Sequence, residues 1–420
     1  MNTYNIGVIE MEGNVTALAE NLMRILAIII LLGIVLTKLS KKIHIPDVVL
    51  YIAGGIIIGP SVLKLIDFSE YSVVNQVILS FGAAYILFDG GREIAVKVLN
   101  EVKVTVGLLA TVGVLISTAI TGLFAWKILG IDLMYAMLLG AVIASTDPSV
   151  LVPLFKKMNI SPRLKQTIIS ESAFNDAAGA IVTFTILAVA AGGKFSVGES
   201  LLQLAISAGG GVIVGAVFGY ILHLLISEGR YGLLKGYTAE MVVAGVLGSY
   251  VFCEFIGVSG FMATFIIGMM CGNKGLFNFV VYSGAQETHE KFKEVTISII
   301  RMLIFMLLGA GMNFSIISRY WSGALIVILA FVFIARPASV LLTVPLDRRA
   351  KWNIREMLYL CWTRETGVIP AALAGMLMTM RVPNADIISA VTSIAIIITL
   401  AFQASTAAWL AKKLDLEVEP

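Results

Sequence analysis

Long apolar runs separated by short polar interruptions cover most of the chain. Thirteen of these runs approach or exceed the ~20 residues that a helix needs to cross a bilayer. They lie near residues 21–38, 47–66, 73–92, 103–128, 133–154, 164–191, 199–226, 236–256, 259–273, 294–312, 322–345, 355–380 and 386–411. Glycines and Pro60 interrupt the second run. The pattern predicts an all-α membrane protein with about 13 transmembrane helices.

Basic residues follow every second predicted span. They occur after spans one, three, five, seven, nine and eleven, for example at Lys41-Lys42, Lys156-Lys157 and Arg348-Arg349. Connections that are rich in Lys and Arg remain on the cytoplasmic side of a membrane. The pattern therefore predicts that the N-terminus is outside and, with an odd number of spans, that the C-terminus is cytoplasmic.

Composition agrees with a membrane protein and excludes several other classes. Hydrophobic residues make up 58% and charged residues 14% of the chain, against roughly 45–50% and about 25% in soluble domains. A net charge of +3 is too small to suggest nucleic-acid binding. The three cysteines have no disulfide or zinc spacing. No GxxxxGK[ST] loop is present, so ATP-driven transport by this chain is not expected. We expect no cofactor.

Ionisable residues inside the predicted spans indicate the function. Each costs ~2.5–3.5 kcal/mol to place in a bilayer, so such residues are usually functional. The densest group is in the sixth span, where Glu171 and Asn175 lie four residues apart, as do Ser172 and Asp176. Residues at this spacing are neighbours on a helix surface. The four side chains form one polar patch, which is either a hydrogen-bond network that joins helices or a binding site.

A second polar group coincides with a helix break in the fifth span. Pro148 lacks an N–H group and disfavours a helical conformation at the residue before it. The break frees backbone carbonyls near Ala144 and Thr146 to bind a cation. It also creates a half-helix N-terminus, whose partial positive charge Asp147 would offset.

The twelfth span has a similar interruption. Arg364, Glu365 and Pro370 lie within an otherwise apolar run. The two charged residues are expected either to pair with each other or to offset the dipoles of half-helices. Interrupted helices at matching places in two halves are typical of inverted-repeat transporters with a site at mid-membrane. Spans five and twelve match if spans 1–6 repeat as spans 8–13, with the seventh as a linker.

Several motifs together resemble a known family over nearly the whole chain. They are Leu87–Gly91, Ala144–Pro148, Glu171–Asp176, Ser259–Ala263 and Arg336-Pro337. In order and spacing they resemble the monovalent cation:proton antiporters, and among these the NhaP-type sodium/proton antiporters.

The resemblance implies an NhaA-like antiporter fold with inverted repeats and two discontinuous helices that cross. One transmembrane domain, residues 1–420, would then have three parts: a scaffold and dimer part (about 20–92 and 236–312), a moving core (about 103–191 and 322–411) and a linker (about 199–226). It further implies a homodimer surrounded by lipid in a prokaryotic cell membrane.

The same resemblance implies a role for each polar residue. Asp176 would bind either the cation or a proton. Ser172 and the Thr146 backbone would supply further ligands, with Asp89 as a direct ligand and Asp147 acting through water. Asn175 would position the site, and Glu171 would form a structural ion pair with Arg336. Asp89 has an alternative interpretation, which is that it only pairs with Arg92.

Chemistry and resemblance agree on the exchange reaction. Hard monovalent cations prefer carboxylate, hydroxyl and carbonyl oxygens. Burial penalises a charged carboxylate, so a proton and a cation would compete to neutralise Asp176. In the family, an Asn-Asp pair such as Asn175-Asp176 accompanies electroneutral one-for-one exchange.

Three other interpretations remain open on the sequence alone. The first concerns the transported ion: sodium and lithium are the expected ions, but potassium/proton antiporters use closely similar motifs. An intramembrane carboxylate hydrolase would use Asp89 together with a second aspartate. A channel would lack saturable, coupled exchange.

Overall fold

The computed structural model describes residues 2–43, 45–67, 71–147, 155, 158, 160–192, 197–228, 232–277 and 283–417. Helices occupy most of these residues. We number them α1 (Asn2–Ile43), α2 (Asp47–Ile58), α3 (Ser72–Arg92), α4 (Val96–Leu129), α5 (Leu133–Ile143), α6 (Pro162–Ala190), α7 (Val197–Ile226), α8 (Thr238–Ile256), α9 (Gly260–Gly272), α10 (Ser283–Ala310), α11 (Phe314–Leu346), α12a (Ile354–Trp362), α12b (Val368–Thr379) and α13 (Ala385–Lys413).

These helices coincide with the thirteen predicted spans, which confirms the all-α membrane class. Within the described residues, eight helices are long and apolar enough to cross a membrane, and α2, α5, α9 and α12b are shorter apolar helices. Several predicted boundaries were wrong, including that of the first span, whose helix begins at Asn2 rather than near 21. The second span is helical only to Ile58, and the tenth begins at Ser283 rather than near 294. The first helix of the fifth span ends at Ile143 and residues 144–147 are not helical, so its break comes before Pro148.

Apolar side chains occupy the outside of the molecule as well as its interior. Phe255 is 86% exposed and Val73 is 75% exposed, which is expected where lipid rather than water covers the surface. Arg336, by contrast, is fully enclosed within the helix bundle. The interior therefore contains charges that must be balanced by other protein groups.

Three helices of the predicted core contain a turn of π-helix. The turns are Leu109–Gly113 in α4, Phe331–Ala335 in α11 and Thr399–Ala404 in α13. Such turns are rare and often occur at functional sites. The turn in α11 lies directly before Arg336-Pro337, where Pro337 cannot supply an N–H group to a regular helix. The turns in α4 and α11 lie in the first core helix of each half of the predicted repeat.

The two broken helices meet inside the core. After α5 ends, residues 144–147 run without helical structure, and residues 363–367 do the same between α12a and α12b. The backbone N–H of Asp147 donates to the carbonyl of Glu365 over 2.8 Å. This contact places the non-helical stretch of one half against that of the other.

Candidate functional site

Asn175 on α6 joins that helix to the non-helical end of α5. Its side-chain oxygen accepts the Thr146 backbone N–H at 3.0 Å, and its Nδ2 donates to the Thr146 hydroxyl at 2.9 Å. Asn175 is 1% exposed, and the first of these bonds gives a partner to the Thr146 N–H, which lies beyond the end of the helix. Gly179, one turn further along α6, permits this approach, because a methyl group there would overlap the Ser145 hydroxyl.

Oxygen atoms converge beside this contact. The Ser172 hydroxyl donates to the carbonyl of Thr146 at 2.7 Å. Asp176, four residues further along α6, is 7% exposed, and its Oδ1 atom has no hydrogen-bond partner among the described residues. A buried carboxylate oxygen without a donor requires a proton or a cation. The site combines carboxylate, hydroxyl and carbonyl oxygens, which are the ligands that a hard monovalent cation prefers.

Asp147 lies at the start of α12b. Its Oδ2 atom accepts the backbone N–H of Val368 at 3.1 Å, and Val368 is the first residue of that helix. The carboxylate therefore faces the positive end of a half-helix dipole. This half-helix belongs to the twelfth span. The second half of the fifth span, where the sequence suggested a half-helix that Asp147 would offset, lies largely outside the described residues.

Arg364 lies at the C-terminal end of α5, the half-helix that precedes the break in the fifth span. Its guanidinium donates to the carbonyl of Ala144, which caps α5, and to the Ser117 hydroxyl at 3.0 Å. It also lies 5.0 Å from the centre of the Phe331 ring. These contacts favour compensation of a helix C-terminus over pairing with Glu365. The Oε1 atom of Glu365 has no hydrogen-bond partner within the described part of the chain.

The crossing also depends on a glycine. A methyl group on Gly367 would overlap the Cβ and carboxylate of Asp147. Because this contact holds the two non-helical stretches together, only a residue without a side chain fits here.

We expect Gly367→Ala to lower the free energy of unfolding by about 1–3 kcal/mol or more, the usual cost of overpacking a close contact. The matched control is Gly107→Ala on α4, since a methyl group there has nothing within 4 Å. In a helix this control should be neutral or slightly stabilising. Thermal unfolding of the detergent-solubilised variants provides the comparison. Equal stability of the two variants would show that the close approach at Gly367 is unimportant.

Glu171 and Arg336 form an ion pair next to the crossing. Both guanidinium Nη atoms donate to the carboxylate, Nη2 to Oε2 at 2.9 Å. The Arg336 Nε atom donates to the carbonyl of Leu360 in α12a at 2.9 Å. The two residues are 3% and 1% exposed, so each charge depends on the other. The pair connects α6, α11 and α12a.

Asp89 has a partner that the sequence did not suggest. Its Oδ1 lies 2.9 Å from Lys293 Nζ on α10. Arg92, the predicted alternative partner, instead contacts Glu290 and His289. Asp89 nevertheless lies near α6, since a methyl group on the adjacent Gly90 would be 3.7 Å from Ala173. Its role as a direct ligand stays a prediction.

Two predicted helix-breaking residues have different outcomes. Pro148 lies outside the described residues. Pro370 is buried in the first turn of α12b, where its missing N–H group leaves no helical bond unmade. Sequence reasoning missed Ser117, Lys293, Thr399 and Gln403. A polar residue inside an apolar helix was the available signal for Ser117, Thr399 and Gln403, but such residues are common and name no partner.

Comparisons with known proteins cover almost the whole chain. A family profile described as "Sodium/hydrogen exchanger, transmembrane" matches residues 26–413. The chain is 30% identical over 364 residues to a probable Na(+)/H(+) antiporter 2 of Methanocaldococcus jannaschii, with 84% of each protein covered. It is 26% identical over 397 residues to the K(+)/H(+) antiporter NhaP2 of Shewanella oneidensis, covering 94% of this chain and 67% of that protein.

A solved structure has the same overall architecture. It is the sodium proton antiporter MjNhaP1 of Methanocaldococcus jannaschii at pH 8, with a TM-score of 0.81 and 28% sequence identity. The match covers 94% of this chain and 99% of that one.

Proposed function

The chain belongs to the sodium/hydrogen exchanger family, and on that premise we propose that it exchanges sodium ions for protons at Asp176. It is a multi-pass secondary transporter for a monovalent cation and protons, not an enzyme. The observation that carries the proposal is the buried Asp176 carboxylate, whose Oδ1 has no hydrogen-bond partner within the described residues.

Competition at this carboxylate produces the exchange. Burial disfavours the bare charge, so Asp176 holds either a proton or a cation. The Ser172 hydroxyl, one turn before Asp176 on α6, and the Thr146 carbonyl that it contacts would supply further ligands to the cation. A loaded site is neutral and crosses the membrane, whereas an empty charged site does not. The direction of net exchange then follows from the two concentration gradients.

We propose that the exchange is electroneutral and needs no cofactor. The Asn175 side chain is a neutral amide that neither gains nor loses a proton during transport, and it is bonded to Thr146. Asp147 faces the positive end of α12b, which stabilises its charge without a proton. Asp176 is then the one carboxylate of the site that exchanges its proton for a cation.

Potassium/proton exchange is the second candidate. It is favoured by the likeness to the relatives named K(+)/H(+) antiporters, which cover 94% of the chain. The same oxygens would bind either ion, because selectivity depends on cavity size and on how the ligands are held.

We propose that a cavity between the predicted scaffold and core forms the outer part of the route for ions. It has a volume of about 500 Å³ and is lined by residues of α3 and α10 on one side and of α12b and α13 on the other. Asn75 Nδ2 and Thr379 Oγ1 approach to 3.4 Å across it. The orientation inferred from the basic loops places the mouth of the cavity on the outside of the membrane. The same orientation places the start of α1 outside and the end of α13 in the cytoplasm. We further propose a homodimer in the cell membrane.

Exchange in vesicles tests the proposal. Purified protein is placed in vesicles with an imposed proton gradient. Addition of sodium should dissipate that gradient. Lithium, potassium and choline, added in parallel, establish the ion preference. A preference for potassium would support the second candidate, and no response to any of these cations would refute both.

A second measurement tests the stoichiometry. For one-for-one exchange we expect no sustained current when a sodium gradient is applied across membranes that contain the protein. Each charge moved would be worth ~2.3 kcal/mol per 100 mV, so an electrogenic exchanger would also change its rate with membrane potential. A current that scales with the amount of protein would contradict electroneutral exchange, and Glu365 would then be the carboxylate to substitute.

A further inference from the structure

The π-turn of α13 holds both ends of the break in the twelfth span. Gln403 Nε2 donates to the carbonyl of Trp362, the last residue of α12a, at 2.7 Å. Thr399 Oγ1 accepts the backbone N–H of Thr366 at 3.0 Å, just before α12b begins. Thr399 is fully buried and Gln403 is 2% exposed. Both residues belong to the π-turn Thr399–Ala404.

A non-helical stretch inside a membrane protein requires such partners. In residues 363–367 the helical ladder is interrupted between the Thr363 N–H, which bonds to the Tyr359 carbonyl, and the Gly367 carbonyl, which accepts the Ala371 N–H. Little water is available inside a membrane protein to replace the missing bonds. Thr399 is suited to the role because its hydroxyl donates to the carbonyl of Ile396, with 3.4 Å between the two oxygen atoms. The oxygen lone pair is therefore free to accept the Thr366 N–H.

The same stretch touches the transport site between these two anchors. The carbonyl of Glu365 accepts the N–H of Asp147, and the N–H of Val368 donates to its carboxylate. Asp147 follows Thr146, whose carbonyl and amide contact Ser172 and Asn175. A shift of residues 363–367 would therefore move the Thr146 carbonyl relative to Asp176.

We propose that Thr399 and Gln403 are positioning residues of the transport site, and that α13 sets the cation affinity through the non-helical stretch of α12. They touch neither the cation nor Asp176, and act by fixing the backbone that carries Asp147 against α12b. The proposal rests on the proposed function, since it assumes that the cation binds beside Asp176.

Thr399→Val tests this role with little change of shape. It leaves the buried Thr366 N–H without an acceptor, so residues 363–367 are held less firmly in the conformation that supports the cation site. We expect the apparent KM for the transported cation to rise about 10-fold, within the range for an orphaned buried donor. The maximal rate should change less than about 2-fold, and Thr399→Ser should restore the wild-type KM.

The matched control lies on the same helix. Thr392 is also fully buried, but its hydroxyl has no hydrogen-bond partner among the described residues. Thr392→Val should therefore leave KM unchanged. Gln403→Met provides an independent test at the other end of the break, because it keeps the length of the side chain and removes the donor to Trp362. It should also raise KM.

The outcomes separate this proposal from the proposed function. If Asp176→Asn is inactive, but Thr399→Val and Gln403→Met each keep the wild-type KM, the positioning role alone is overturned. An equal rise of KM in Thr392→Val would do the same, since that hydroxyl bonds to none of the residues that the structure describes. Exchange that persists in Asp176→Asn would instead refute the proposed carrier. A raised KM in the two test variants, with rescue by Thr399→Ser, would support the positioning role.

Discussion

Asp176→Asn is expected to reduce cation/proton exchange to the level of vesicles without protein. The amide has nearly the same shape as the carboxylate, but it can neither bind a proton for exchange nor neutralise a cation. Because the Oδ1 atom of Asp176 has no hydrogen-bond partner within the described residues, no bond of that atom is lost. The variant should therefore fold normally and fail only in transport.

A matched aspartate shows whether the effect is specific. Asp386 is an exposed residue in the first turn of α13, away from the crossing. Asp386→Asn makes the same chemical change and should keep nearly full exchange. Measurements of proton flux in vesicles at equal protein content compare the two variants. Exchange in Asp176→Asn close to that of Asp386→Asn would refute the role of Asp176.

Arg336→Met is expected to have the largest effect on stability. It leaves Glu171 as an uncompensated charge that is 3% exposed, and breaking a buried pair from one side costs about 3–5 kcal/mol. It also removes the donor to the Leu360 carbonyl. We expect a lower unfolding temperature and a smaller yield of folded protein.

The double variant Glu171→Met/Arg336→Met distinguishes charge imbalance from lost packing. Replacing both members of a buried pair with apolar residues is often neutral or even stabilising. The double variant should therefore be more stable than Arg336→Met alone. If the two are equally unstable, the damage comes from packing or from the Leu360 contact, and the pair is not the main cause. The purified single and double variants are compared by thermal unfolding.

Much of the fold was predictable, because lipid imposes a simple rule on sequence. A spanning helix must be apolar over ~20 residues, so all thirteen spans were visible as runs. The polar patch of α6 was visible for the opposite reason, since Glu171 and Asp176 break that rule at a cost. Arg364, Glu365 and Pro370 marked the interruption of the twelfth span in the same way.

Partners were less predictable, because they depend on how distant helices pack. Asp89 contacts Lys293, about 200 residues away along the chain, whereas sequence reasoning considered the nearby Arg92. The break in α5 was placed at Pro148, but the helix already ends at Ile143. The end is held by Arg364, from the break in the twelfth span, and by Asn175 on α6. Local propensity cannot reveal such tertiary contacts.

The roles of Thr399 and Gln403 required the three-dimensional structure for the same reason. Polar residues in a spanning helix often bond their own backbone, as Thr399 does with the Ile396 carbonyl. Only the packing of α13 against the break shows that Thr399 also contacts Thr366 and that Gln403 contacts Trp362.

Proton release on cation binding is the most direct test of competition at Asp176. Sodium, or the preferred cation from the vesicle assay, is added to purified protein in weakly buffered detergent solution. The pH change is compared with the amount of cation bound. We predict about one proton released per cation for electroneutral exchange, and neither binding nor release in Asp176→Asn. Cation binding without proton release, or release that persists in Asp176→Asn, would contradict competition at this carboxylate.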